Sequence, residues 1–215
     1  MMRCLPWIFL ASASLILNGQ IVWETTRVSQ NVEPSAEVVT AVFPFVNGGD
    51  SPLTILEMRA SCGCTTPELD KKIYQPGESG QITAFFYVGN RQGKQVKSIR
   101  VTTDAAEEPT VLKMETLIPE MIALEPNYLF WQIGEQPEPK PVEVNIMLDH
   151  PIHITSVESS DSRVGVELEE LEAGKRYRIR ATPTQTESRM RFTIRLSTDF
   201  PQENPKVFKI YARVK

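Results

Sequence analysis

The stretch Gln95-Val-Lys-Ser-Ile-Arg-Val-Thr-Thr-Asp104 returns near the end of the chain as Met190-Arg-Phe-Thr-Ile-Arg-Leu-Ser-Thr-Asp199. Ile99, Arg100 and Asp104 are matched by Ile194, Arg195 and Asp199 at a constant offset of 95. After each copy come prolines and then an alternating run, Thr110 to Leu117 in one and Val207 to Val214 in the other. Upstream the match is fainter, with Gly77 and Ile82 against Gly174 and Ile179 at 97, and Trp23 against Trp131 at 108. The same strand, loop and strand are used twice, which predicts two tandem domains.

Inside each copy the hydrophobic period is two. Val39/Ala41/Phe43/Phe45, Ile82/Ala84/Phe86/Val88, Val142/Val144/Ile146/Leu148 and Phe208/Ile210/Ala212/Val214 each line one face of an extended strand. Turn residues punctuate the runs at Asn47-Gly48-Gly49-Asp50, Gln75-Pro76-Gly77-Glu78 and Glu172-Ala173-Gly174-Lys175. Short alternating strands separated by such turns predict an all-β protein of antiparallel β-sandwiches. The proline-rich Glu135 to Pro141 reads as an approach to an edge strand, where a missing backbone donor costs least.

The chain opens with Arg3 and an apolar run of about 13 residues from Leu5 to Leu17, followed by small and polar residues. That is the profile of a secretory signal peptide. A bilayer span needs about 20 residues, so no membrane span is expected in the mature chain. The expected organisation is therefore a signal peptide at 1–19, a first domain at 20–118 and a second at 119–215. Cys4 precedes the apolar run and leaves with the signal, so two of the three cysteines remain. The formal net charge is -4 with the charges scattered, and no basic stripe marks a nucleic-acid or anionic-membrane partner.

Phe43-Pro-Phe-Val-Asn-Gly-Gly-Asp-Ser-Pro-Leu-Thr-Ile55, Ser61-Cys-Gly-Cys-Thr65, Gln75-Pro-Gly-Glu78, Gly93 and Ile99-Arg-Val-Thr-Thr-Asp104 follow one another in the first domain. In order and spacing this series resembles the bacterial secreted family catalogued as domain of unknown function 1573. The resemblance implies an immunoglobulin-like sandwich, related in shape to Hydin-like and major-sperm-protein-like modules, in an exported protein. It implies no activity. The second domain departs from the pattern: aligning Ile154 with Ile55 and Val157 with Met58 puts Ser160-Asp161-Ser162-Arg163 where Ser61-Cys62-Gly63-Cys64 stands.

Cys62 and Cys64 are the candidate site. In extended backbone their Cα atoms would lie about 6.5 to 7 Å apart on one face. A disulfide prefers about 5.5 to 6 Å, so closing one needs a local tightening that Gly63, lacking a Cβ, would permit. A bridge across so short a loop adds little stability and reads as redox-labile. Two thiolates could instead hold Cu(I), or half of a zinc site completed by His150 and His153. Nucleophilic catalysis would need a base or cation beside a thiol, and only Arg59 is near in sequence. The plainer reading is a partly buried turn that shapes the sandwich.

No Gly-x-Ser-x-Gly, phosphate loop or triad context is present. Trp23 and Trp131 are expected to be buried, and alternation turns Phe85 and Tyr87 outward. The expectation is a non-enzymatic module without cofactor, secreted or periplasmic, that binds an unidentified protein or envelope component. The alternative is a redox or Cu(I)-binding protein using Cys62 and Cys64.

Overall fold

The structure is a computed structural model that describes residues 16–18 and 21–215. The expected signal peptide, its cleavage point and Cys4 lie outside the described residues, apart from the strand at 16–18. Among the described residues the regular structure is entirely extended, as the period of two predicts.

In chain order the first ten strands are β1 (Ile16–Asn18), β2 (Ile21–Trp23), β3 (Arg27–Asn31), β4 (Val38–Asn47), β5 (Leu53–Ala60), β6 (Thr65–Leu69), β7 (Ile73–Tyr74), β8 (Ser79–Tyr87), β9 (Gly93–Thr103) and β10 (Thr110–Ile118). They form two five-stranded sheets in the orders β1-β2-β4-β8-β6 and β3-β10-β9-β5-β7. The remaining eight are β11 (Ile122–Glu125), β12 (Tyr128–Trp131), β13 (Lys140–Ile146), β14 (Ile154–Ser159), β15 (Val164–Glu172), β16 (Arg176–Pro183), β17 (Met190–Thr198) and β18 (Val207–Val214). These give two four-stranded sheets, β11-β13-β16-β15 and β12-β18-β17-β14. Each set is a two-layer immunoglobulin-like sandwich. Two pairings depart from the antiparallel expectation: β12 runs parallel to β18, and β3 runs parallel to β10, with the Lys113 N–H on the Thr26 carbonyl and the Val32 N–H on the Leu117 carbonyl.

By contacts the chain divides into two compact units. One comprises the described residues up to Gln30 with Val38–Tyr87 and Val96–Thr116, the other Asn31–Glu37, Val88–Gln95 and Leu117–Lys215.

The alternating positions fill the cores. Phe43, Phe45, Ile82 and Phe86 are fully buried in the first sandwich, with Trp23 against Phe45 at 5.1 Å and Phe45 against Tyr74 at 4.8 Å between ring centroids. Trp131, Val142, Val144, Ile194 and Ile210 belong to the core of the second. Fully burying one such side chain contributes about 1.5 to 3 kcal/mol, so these stripes dominate the stability of both.

The repeat is visible as geometry. Asp104 accepts a hydrogen bond from the Thr54 N–H at 2.8 Å, and Asp199 accepts one from the His153 N–H at 2.8 Å. Each aspartate thus ties the end of one strand (β9, β17) to the start of its neighbour (β5, β14). Met58 pairs with Val101 as Val157 pairs with Leu196, which agrees with aligning Ile154 on Ile55.

Two expectations are corrected. Trp23 and Trp131 are both buried, yet Trp23 lies in the β4-containing sheet of its sandwich, whereas β12 with Trp131 joins the sheet of β17 and β18. The second sandwich's counterpart of β2 is β11, so the two tryptophans are not equivalent. Second, the proline-rich stretch leads into β13, which lies inside its sheet. Pro141 is tolerated there because the pairing of β11 with β13 stops at Glu125 opposite Glu143, leaving that side of Pro141 without a strand.

Candidate functional site

Cys62 and Cys64 lie in the four-residue connection from β5 to β6, where the chain passes from one sheet of the first sandwich to the other. β5 ends at Ala60 by pairing with Ile99. Ser61 then prolongs the contact, its N–H donating to the Ser98 carbonyl at 2.9 Å while its hydroxyl accepts from the Ser98 N–H at 3.1 Å. Beyond Ser61 the chain turns, and the Thr65 N–H donates to the Cys62 carbonyl at 3.3 Å. The Cys64 carbonyl accepts from the Tyr87 N–H at 2.9 Å, anchoring the turn to β8.

The two sulfurs are joined in a disulfide with Cα atoms 5.2 Å apart. The tightening comes from the turn, since the pair does not sit on an extended strand. Gly63 is not what permits it: a Cβ there would meet nothing within 4 Å, and its φ lies outside the left-handed region. Both cysteines are half-buried. A disulfide sulfur carries no proton, so the Thr65 hydroxyl is the donor in its 3.6 Å contact with Cys62 Sγ. The one nearby cation in sequence is engaged elsewhere, with Arg59 Nη2 on Glu57 Oε1 at 3.0 Å and the side chain 74% exposed.

The histidines considered as zinc ligands have other neighbours. The His150 ring lies against Phe200 at 4.6 Å, and His153 Nδ1 is 4.0 Å from Glu170 Oε1 at an exposed position. Among the described residues no group of three or more His, Cys, Asp or Glu side chains is placed to hold a metal ion.

In the second sandwich, Ser160 makes the same two bonds to Thr193 that Ser61 makes to Ser98, at 2.9 and 2.9 Å. The Val164 N–H donates to the Asp161 carbonyl at 3.1 Å, repeating the turn. Where the first sandwich has its disulfide, Arg163 donates to Asp161 from Nε to Oδ1 at 2.9 Å and from Nη2 to Oδ2 at 2.6 Å. The sequence places these residues at the equivalent positions but gives no sign that they would grip one another. These hydrogen bonds from Arg163, first from its side chain and then from its backbone N–H, pull the Asp161 carboxyl down to about 2.

The outward rings are also located. On the outer face of the β4–β8 pair, Val38, Val42 and Val46 are exposed at 45%, 39% and 37%, Tyr87 at 51%, and Phe85 is half-buried. Val38 stands directly opposite Tyr87.

The protein is thus a two-sandwich immunoglobulin-like chain with a bonded Cys-x-Cys turn in its first half. Residues 21–118, the first sandwich, match the family described as Protein of unknown function (DUF1573). Among curated proteins none matches the chain. A solved protein of unknown function from Porphyromonas gingivalis W83 is similar at 13% identity and a TM-score of 0.36, over 92% of this chain and 100% of that one. The CupB2 chaperone of Pseudomonas aeruginosa is similar at 12% identity and a TM-score of 0.33, over 87% and 98%. The E. coli chaperone DraB is similar at 12% identity and a TM-score of 0.36, over 89% and 97%.

Proposed function

We propose that the protein is an exported, non-enzymatic binding or structural module of the bacterial cell envelope. The observation that carries this reading is the outer face of β4 and β8, where alternation would place polar side chains and Val38, Val42, Val46 and Tyr87 stand exposed instead. A row of apolar groups on a sheet that water would otherwise cover marks a contact surface. The signal-like N-terminus and the Cys62–Cys64 disulfide fit an oxidising compartment.

Fractionation of cells with N-terminal sequencing of the recovered chain tests the location. Recovery from the envelope or periplasm with the first residues removed is expected, and recovery from the cytoplasm with Arg3 retained overturns it. A photo-crosslinker at Val42 tests the face and is expected to give envelope adducts that one at Glu167 does not. Equal labelling from both positions overturns the assignment.

The half-buried disulfide favours a second reading, thiol chemistry at Cys62 and Cys64. An external dithiol would reduce the bridge while being oxidised to its own disulfide, and the reduced pair would hold Cu(I) through two thiolates. Thiol titration of the purified chain before and after dithiol treatment, with and without Cu(I), separates these roles. A bridge that resists dithiols and a reduced pair that leaves Cu(I) unbound would exclude both.

A further inference from the structure

The two faces of the second sandwich treat their cations in opposite ways. On the outer face of the β13-β16-β15 sheet two of the three arginines of β16 are ion-paired. Arg178 pairs with Glu143 at 2.6 Å, Arg180 with Glu169 at 2.8 Å, and Arg176 stands between Glu172 and Asn145. On the outer face of the β12-β18-β17-β14 sheet, Arg191 stands directly opposite Arg213, and Arg195 directly opposite Lys209. Like charges in directly opposed cross-strand positions destabilise a sheet. Glu158 stands across from Arg195, and Glu120 and Glu125 line a depression together with Lys209, yet none of the four cations forms an ion pair among the described residues.

Aromatic rings adjoin these cations. Tyr128 and Tyr211 stand opposite each other and are 39% and 56% exposed. The Arg213 guanidinium lies 5.4 Å from the centre of the Tyr128 ring and 5.7 Å from that of Phe130. Its Nε is buried without a hydrogen-bond partner. A depression of about 350 Å³ lies over Tyr128, Arg191, Thr193, Tyr211 and Arg213. A chain of net charge -4 that accepts two cross-strand repulsions beside exposed rings has the features of a site for an anion with an apolar face.

We propose that this face binds an acidic polysaccharide, a chain of uronate sugars. Carboxylates would sit between Arg191 and Arg213 and between Arg195 and Lys209, relieving both repulsions. Arginine forks take carboxylates through two parallel hydrogen bonds. The C–H faces of the sugar rings would lie on Tyr128 and Tyr211. An acidic peptide fits less well, because β17 and β18 are interior strands whose backbone groups are already paired, and the peptide's own amides would lose water without gaining partners. The inference concerns a different face from that of β4 and β8 and stands whether or not that face binds anything.

Calorimetric titration of the purified full chain with polygalacturonate, a neutral glucan and poly-L-glutamate tests it. Binding of polygalacturonate that weakens as salt rises is expected, with no response to the glucan and at least about tenfold weaker binding of polyglutamate. Arg191→Ala and Tyr211→Ala are each expected to weaken it about tenfold, while Arg176→Ala on the opposite face leaves it unchanged. Both tested side chains are exposed, and thermal melts confirm that the variants remain folded. Failure to bind polygalacturonate overturns the proposal. So does equal binding of polyglutamate, which would make the face an acidic-peptide surface. Full affinity in Tyr211→Ala, or an equal loss in Arg176→Ala, overturns it as well, since either would leave only diffuse attraction of a polyanion.

Discussion

Arg163 grips Asp161 through two hydrogen bonds in the second sandwich at the turn where Cys62 and Cys64 are bonded in the first. In both places a serine extends the preceding strand, residues i and i+2 of the connection are clamped together, and the following N–H closes the turn on the first clamped residue. The connection carries the chain from one sheet to the other, so the clamp fixes the angle at which β6 or β15 begins. A covalent bond and an ion pair perform the same geometric task.

The fold should therefore tolerate exchange of one clamp for the other. The loop closed by the disulfide has a sequence separation of 2, the short-loop limit in which chain-entropy stabilisation is smallest, under about 2 kcal/mol. Chemical denaturation of the Cys62→Asp/Cys64→Arg double variant is expected to show a loss within that amount, and Cys62→Ser/Cys64→Ser a similar one. A loss of 4 kcal/mol or more, on the order of a cross-link closing about 100 residues, would mean that the sulfurs hold the fold.

Gly63 and Gly80 should respond oppositely to alanine. A Cβ on Gly63 meets nothing within 4 Å, whereas one on Gly80 would lie 2.4 Å from Tyr74 Cε1 and 2.6 Å from Phe45 Cζ. Gly63→Ala is expected to change stability by no more than about 0.5 kcal/mol. Gly80→Ala should cost about 1 to 3 kcal/mol, because two buried rings must move. Thermal melts of the two variants decide the matter, and a costly Gly63→Ala would show that the glycine is needed after all.

These contrasts mark what could be read from the residues alone. The stripe from Val39 to Phe45 and the repeated Ile-Arg…Asp segment carry strand period and domain repetition directly, because both are local patterns. The pairing of Trp23 with Trp131 misleads for the same reason: identity at a similar distance from the repeat says nothing about which sheet an edge strand joins. A Gly63 that permits the tightening follows only from extended backbone, whereas the pair sits on a turn that depends on Ser61 meeting Ser98, 37 residues away. The opposition of Arg191 to Arg213 likewise emerges only once β17 and β18 are in register.

Asn47 reads in the sequence as turn punctuation and is in the structure the last residue of β4, fully buried. Its Nδ2 donates to the carbonyls of Ser51 and Tyr74, both at 2.8 Å, and its Oδ1 accepts from the Gly49 N–H at 3.0 Å. Asn47→Ala strands these groups, one carbonyl of them in the core, and is expected to cost about 2 to 4 kcal/mol in denaturant titration. Asn47→Asp should be no milder, since a carboxylate cannot donate to either carbonyl. A loss below about 1 kcal/mol in both variants would mean that the turn finds other partners.

The ionic clamp should show itself in acid. The Asp161 carboxyl titrates at about 2 in the folded chain against an ordinary value of 3.8, through the hydrogen bonds from Arg163. Because the folded value is depressed, the stability it contributes is present above about pH 4 and disappears as the pH falls through about 2. In Arg163→Ala the carboxyl should return toward 3.8, and the acid limb of the stability curve between those two pH values should flatten. Side-chain NMR titration of Asp161 in the two proteins measures this directly. An Asp161 that titrates near 3.8 with Arg163 present would mean that the clamp is open in solution, and the equivalence with the Cys62–Cys64 bridge would fail.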